Sequence, residues 1–476
     1  MLNPRRISPL ILISAVGFLV IGELLAGTSL YYVTMMAIAM ICIGTTYNIL
    51  SGASTIGGLF FSAYALGTLV ISQFAKVLLL EGADKNLEAP QLTITVYMVF
   101  YLCVMIGCFL FGWIRIQLPK PLEPETQSHL DMTYVIALCL GAFATFAFTV
   151  NSVSGGGQTA ARSFGLGFQN MLLFAIVLAV EKRLRDTGGL HSFGIKVFIP
   201  MAVIMVFGFL DTSRSPIIIP SIVYITACYV KGYQFKRKHY LAAVLGIVAI
   251  STVISPVEIY LRQFRDAPSF SERNYAIIHG LFTIPNWTSV TSASEEANVM
   301  DEGRGQYYNR AGTFILGRLS MIRSDSNLIS ACSSGYHYGF EALKIDLLMQ
   351  VPHFIYNSKP EASSAAFLGR VAGIGSDEQN LYPSYSAISD SYGAYGWWGV
   401  ALEAMVGFPL LFIIYESIFD MSRPWGTVAL GLLCSRGWGM SLGGLAGMSI
   451  RTPIEILLLS YLIGIVVRMI PSKGDR

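Results

Sequence analysis

The side chains best suited to chemistry in this chain are a few arginines and carboxylates at the edges of apolar runs. Arg214 stands in the turn Asp211-Thr-Ser-Arg-Ser-Pro216, directly between two such runs. Its planar guanidinium fork matches phosphate oxygens, although an arginine there could equally snorkel to the interface or pair with Asp211. Arg162 follows three consecutive glycines, Gly155 to Gly157, whose backbone could approach an anion closely or could simply form a flexible turn. Arg370, Asp377, Glu378 and Asp390 gather in the stretch FLGRVAGIGSDEQNLYPSYSAISDSYGAYGWWG. Carboxylates held over a lipid-facing cavity could take a proton from a hydroxyl as general bases, or could only solvate a loop. Arg436 falls nominally inside an apolar run, where an unpaired cation is costly, so it is expected to face the interior with Glu403 or Glu455 as partner.

Other chemistries find little footing. The six histidines show neither HExxH nor HxxxH spacing, and no CxxC occurs among the seven cysteines, so metal catalysis and a metal cofactor are unsupported. Six cysteines lie in apolar runs and only Cys332 lies outside them, so no disulfide is expected within its segment. Asn286-Trp-Thr288 is a formal glycosylation sequon. The net charge of +3 is spread along the chain, which argues against a nucleic-acid partner.

The elements that must position these groups follow from composition. Of 476 residues, 54% are hydrophobic and 13% charged, and the mean hydropathy is +0.58. Soluble domains carry about 25% charged residues, so most of this surface is expected to meet lipid. A hydrocarbon core of about 30 Å needs roughly 20 apolar residues in helical form. Reading for such runs predicts an all-α polytopic membrane protein of about twelve transmembrane helices, beginning near residues 8, 30, 56, 93, 132, 166, 196, 216, 240, 394, 425 and 452. The short basic N-terminus is read as leading into a retained first helix, because no small-residue cleavage pattern follows it.

Basic residues then set an orientation. Arg5 and Arg6, Arg115 and Lys120, Lys182 to Arg185, Lys231 to Lys238, Arg423, and Arg468 to Arg476 alternate with sparse turns holding Lys85, Arg162, Arg214 and Arg451. Both termini are thereby predicted cytoplasmic in a bacterial inner membrane. Residues 1–256 form nine spans, 257–393 a large periplasmic loop, and 394–476 three more spans. That loop is rich in Tyr, Phe, Leu and Ile, so a folded, mostly helical cap is expected, either as helices lying at the membrane surface or as a small globular unit.

This plan resembles the O-antigen and oligosaccharide repeat-unit polymerases (the Wzy group), with the related O-antigen ligases. SAISDSYGAYGWWG is similar to that family's element leading into the helix after the big loop, and GFLDTSRSPIIIPSI to its short Arg-containing outer turn. The resemblance implies a membrane glycosyltransferase of GT-C-like fold that uses no cofactor. Its implied partners are an undecaprenyl-diphosphate-linked oligosaccharide, membrane lipid and a polysaccharide chain-length regulator. It implies that Arg162, Arg214 and Arg370 hold the diphosphate. Ligase-type members carry a His-Asn pair where this chain reads Asp377-Glu-Gln-Asn380, which shifts the base to Glu378 or Asp377. A twelve-helix transporter or lipid-linked oligosaccharide flippase is the alternative, and it calls for charges deep inside the helices.

Overall fold

The computed structural model describes residues 6–124, 127–153, 160–210, 215–249, 270–282, 321–351, 364–373, 384–437 and 441–469, with single positions 253, 254, 257, 261 and 356. Helices account for the regular structure among them, with no strand. They are α1 (Pro9–Leu25), α2 (Leu30–Ile49), α3 (Ile56–Leu79), α4 (Pro90–Phe111), α5 (Gln127–Val153), α6 (Ala160–Asp186), α7 (Ile195–Leu210), α8 (Ser215–Val230) and α9 (Arg237–Ala249). They continue as α10 (Phe270–Phe282), α11 (Ile322–Cys332), α12 (Glu341–Gln350), α13 (Ser364–Val371), α14 (Ala387–Ile418), α15 (Pro424–Arg436) and α16 (Leu442–Met469). Helices lie within the apolar runs read from the sequence where those residues are described, the run near 425 being divided between α15 and α16.

Six of these helices, α2, α3, α4, α5 (over His129–Ala147), α14 and α16, are long and apolar enough to cross a membrane. The chain is therefore a membrane-embedded helical protein. Proline sets several entries, because its missing N–H falls where a helix leaves donors unpaired anyway. Pro9, Pro90 and Pro424 stand at such starts, and Ser8 caps α1 by accepting from Ile11 N–H at 3.3 Å.

Two helices form the centre. Met171 to Val180 of α6 and Pro424 to Leu433 of α15 are buried without interruption, the mark of a helix enclosed on all sides. Phe174 and Trp425 stack between them with ring centroids 3.6 Å apart. Outside stand α1 and α9, whose Leu10, Ile13, Ile21, Leu241 and Val244 are exposed, as lipid-facing residues must be.

The long segment before α14 does not stay outside the bundle. Ile322, Leu328, Ile329 and Cys332 of α11 belong to the same core as the spanning helices. Met321 N–H donates to Gly67 O at 3.4 Å, in the π turn Leu66–Val70 that interrupts α3. A π turn loosens the regular helical bonding, and here a segment from the predicted loop meets the carbonyl. Cys332 is buried against that core.

Two boundaries differ from the sequence reading. The helix expected from residue 394 starts at Ala387 and breaks at Tyr395 and Gly396, where Gly396 has φ 59° and ψ −140°, a conformation only glycine adopts cheaply. The turn expected at Arg451 lies earlier, between α15 and Leu442, so Arg451 sits well inside α16.

Candidate functional site

The five residues singled out from the sequence fare unequally. Asp377, Glu378 and Arg214 lie outside the described residues. Arg162 falls in the first turn of α6, but its side chain is also outside them. Arg370 ends α13 and is exposed. Of the five, Arg370 alone has a described side chain, and the polar cluster among the described residues is built from other side chains.

Asp325 of α11 is the deepest of these. It is fully buried, and Ser386 N–H and Ser389 Oγ donate to its Oδ1 at 2.9 and 2.6 Å. Ser386 Oγ and the Tyr97 hydroxyl donate to its Oδ2. Burial pushes this carboxyl above the usual range, and the Ser386, Ser389 and Tyr97 donations draw it back. Tyr64 and Tyr101 are buried within electrostatic reach of it, with Tyr101 hydrogen-bonded to Thr68. Tyr64 is eight positions along α3 from Ile56, about 12 Å at 1.5 Å per residue. Tyr97 is fourteen positions from Phe111, about 21 Å by the same rise. Asp325 thus sits near mid-depth, at the join of α3, α4, α11 and α14.

Asp390, one turn beyond Ser386, is fully buried as well. The Tyr338 hydroxyl donates to its Oδ1 at 2.8 Å, and Leu442 N–H donates to its Oδ2 at 2.8 Å. A carboxylate from α14 therefore caps the first turn of α16, where unpaired N–H groups and the helix dipole favour negative charge. Ser441 completes the cap by accepting from Gly444 N–H at 3.2 Å.

Beside that cap, α12 lies along α16 in register. Asp346 and Gln350 are four apart and share a face, as do Gly443, Gly447 and Arg451. Asp346 packs onto Gly443, where an added Cβ would meet Oδ2 at 1.9 Å, and Gln350 packs onto Gly447. Ser441 Oγ donates to Asp346 Oδ2 at 3.3 Å, and Arg451 Nη1 donates to Gln350 Oε1 at 3.2 Å. Asp346 is half-buried, and burial raises its carboxyl against the hydrogen bonds from Ser364 and Ser441. Ser364 belongs to α13, so the helix that carries Arg370 also reaches this place.

Arg451 Nε further donates to Glu455 Oε1 at 2.6 Å. Arg436, at the end of α15, lies within electrostatic reach of both Glu455 and Arg451. It is accessible, yet protein crowds it closely, so it lines a recess rather than the outer surface. Of the two partners expected for Arg436, Glu455 is the neighbour, while Glu403 faces Asp390 instead. A Cβ added at Gly167 of α6 would lie 3.7 Å from the Glu455 carboxyl, and Arg162 is five positions away on that helix. The recess thus presents two guanidinium groups, two half-buried carboxylates (Asp346 and Glu455) and an amide, an arrangement able to bind an anion beside a proton acceptor.

A second recess, of about 370 Å³, opens at the opposite end among Glu123, Glu181, Arg185, Asp420 and Arg423. Its charges are largely matched: Glu181 pairs with Arg185 at 3.0 Å and Lys231 at 2.6 Å, and Asp420 faces Arg423. Among the described residues no group of three or more His, Cys, Asp or Glu is arranged to hold a metal ion.

Neither a protein-family model, nor a curated protein, nor a solved structure matches the chain. The recess geometry is consequently the foundation for a functional reading.

Proposed function

We propose that the protein is a membrane glycosyltransferase that joins undecaprenyl-diphosphate-linked oligosaccharide repeat units at the periplasmic face. In this reading the chain has twelve spans in a GT-C-like arrangement, its basic helix ends face the cytoplasm, and the Arg436–Arg451 recess opens towards the periplasm. The observation that carries it is the pair of arginines set beside Glu455 and two turns from Asp346.

The chemistry asked of the site is modest. The acceptor sugar hydroxyl attacks the donor's anomeric carbon, the bond to the diphosphate oxygen breaks, and the hydroxyl proton passes to a carboxylate. A diphosphate is already a good leaving group, so it needs charge stabilisation by fixed cations more than protonation. Arg436 and Arg451 supply fixed cations, alongside Arg162, Arg214 and Arg370 as sequence candidates. Burial raises the Asp346 carboxyl above its ordinary range, and it joins Glu378 and Asp377 as a candidate base. Purified protein supplied with lipid-linked oligosaccharide tests the reading: a ladder of products supports polymerisation, and single transfer to a lipid acceptor supports a ligase.

One observation favours a different class. Asp325 and Asp390 are fully buried in the bundle and Glu403 lies inside the candidate span α14, as a transporter or flippase would require. Movement of a fluorescent lipid-linked oligosaccharide across proteoliposomes, without covalent extension, would select that alternative.

A further inference from the structure

Glu403 has a setting that glycosyl transfer does not use. It opens the π turn Glu403–Gly407 inside the candidate span α14, and π turns within helices recur at functional positions. Its Oε1 is buried without a hydrogen-bond partner. The side chain folds back on its own turn, where a Cβ on Gly407 would meet Oε1 at 2.2 Å. The π turn packs on α4, which carries no Lys, Arg, Asp or Glu anywhere from Pro90 to Phe111.

Among the described residues, the titratable groups within electrostatic reach of it are Asp390 from the first part of α14 and Tyr64 from α3, and neither is a cation. An ionised carboxylate there would be stripped of water with no counter-charge among the described residues, so the group is held as the neutral acid. Asp390 in turn acts on Asp346 and Asp325. Glu403, Asp390 and Asp346 thereby run in series from the span to the recess, and like charges so arranged cannot all ionise together.

We infer that Glu403 is a proton-binding site inside the membrane span, exchanging its proton outward through Asp390 and Asp346. This stands independently of any glycan chemistry.

Dicyclohexylcarbodiimide, an apolar reagent, tests it on the full-length protein in native membranes. A protonated carboxyl adds across the carbodiimide, and the O-acylisourea rearranges to a stable N-acylurea with no atoms lost. Peptide mapping is expected to find the adduct on Glu403, absent with a water-soluble carbodiimide and lost in Glu403→Gln. Asp390→Asn is expected to reduce the yield, because the neutral amide no longer opposes charge on Glu403. Folded wild-type protein without an adduct on Glu403 would overturn the site, whether or not the Gln variant folds. An unchanged yield in folded Asp390→Asn would overturn the exchange.

Discussion

Ser389 Oγ donates to Asp325 Oδ1 at 2.6 Å, fastening helix α11 to the start of α14 in the middle of the bundle. Two segments that hydropathy alone would leave outside the membrane are joined there by a buried carboxylate.

Removing that carboxylate should loosen the join. Asp325→Ala leaves Ser386, Ser389 and Tyr97 donors buried without this acceptor, and each such unsatisfied buried donor costs about 1–3 kcal/mol. Tyr97→Phe removes a single donor, at about 1.5–3 kcal/mol for a bond to a charged group. Thermal melting in detergent is expected to rank the two variants in that order. Equal melting temperatures for wild type and Asp325→Ala would remove Asp325 from the fold's support.

Close helix approach gives a second test. At Gly107 an added Cβ would meet the backbone oxygen of Met405 at 2.3 Å, whereas at Gly246 nothing lies within 4 Å. Gly107→Ala is expected to destabilise by about 1–3 kcal/mol through overpacking. Gly246→Ala, in a helix with open space, is expected to stabilise by up to about 1 kcal/mol from helix propensity. Melting of the two alanine variants separates these signs.

Glu123 predicts a pH dependence at the basic end of the bundle. Burial pushes its carboxyl up to about 8, against hydrogen bonding from the Trp425 backbone and attraction to Arg423 and Lys231. The folded chain therefore binds a proton at pH values where the unfolded one has lost it, and stability falls as pH rises from about 4.5 towards 8. Glu123→Gln should flatten that part of the melting-temperature profile. An unchanged slope would place the pH dependence elsewhere.

Cys332 offers a readout of the packed state of α11. The thiol is buried against the core. An impermeant maleimide is expected to leave it unmodified in native membranes and to modify it after denaturation. Fast native modification would mean that α11 leaves the bundle readily.

Much of the helical plan was legible in the sequence, because lipid demands long apolar runs and tolerates few charges. Pro90–Phe111 and Ile56–Leu79 fell within a few residues of their reading. Helix α11, IRSDSNLISAC, was not, since its Asp325 and Ser326 face inward to partners on α4 and α14 and no hydropathy pattern shows that. Asp325, Asp346 and Gln350 were missed for the same reason: each finds its partner more than sixty positions away or on another helix. Asp390, Arg436, Arg451 and Glu455 were visible as charges at or near apolar runs, but their mutual contacts needed the register of α12 on α16. The serines of Ser386-Ala-Ile-Ser389-Asp390, spaced one turn apart before a glycine-rich stretch, were the available hint of a helix start built around buried acids.

The central claim, that the arginine recess serves glycosyl transfer, is tested most directly with purified protein and an undecaprenyl-diphosphate-linked oligosaccharide. The account predicts a product ladder from the wild type, and loss of at least about tenfold in rate from Arg451→Ala or Arg436→Ala for each removed charge contact, with melting temperatures near the wild type. Wild-type rates in both folded arginine variants, or no covalent product from active wild-type preparations, would contradict it.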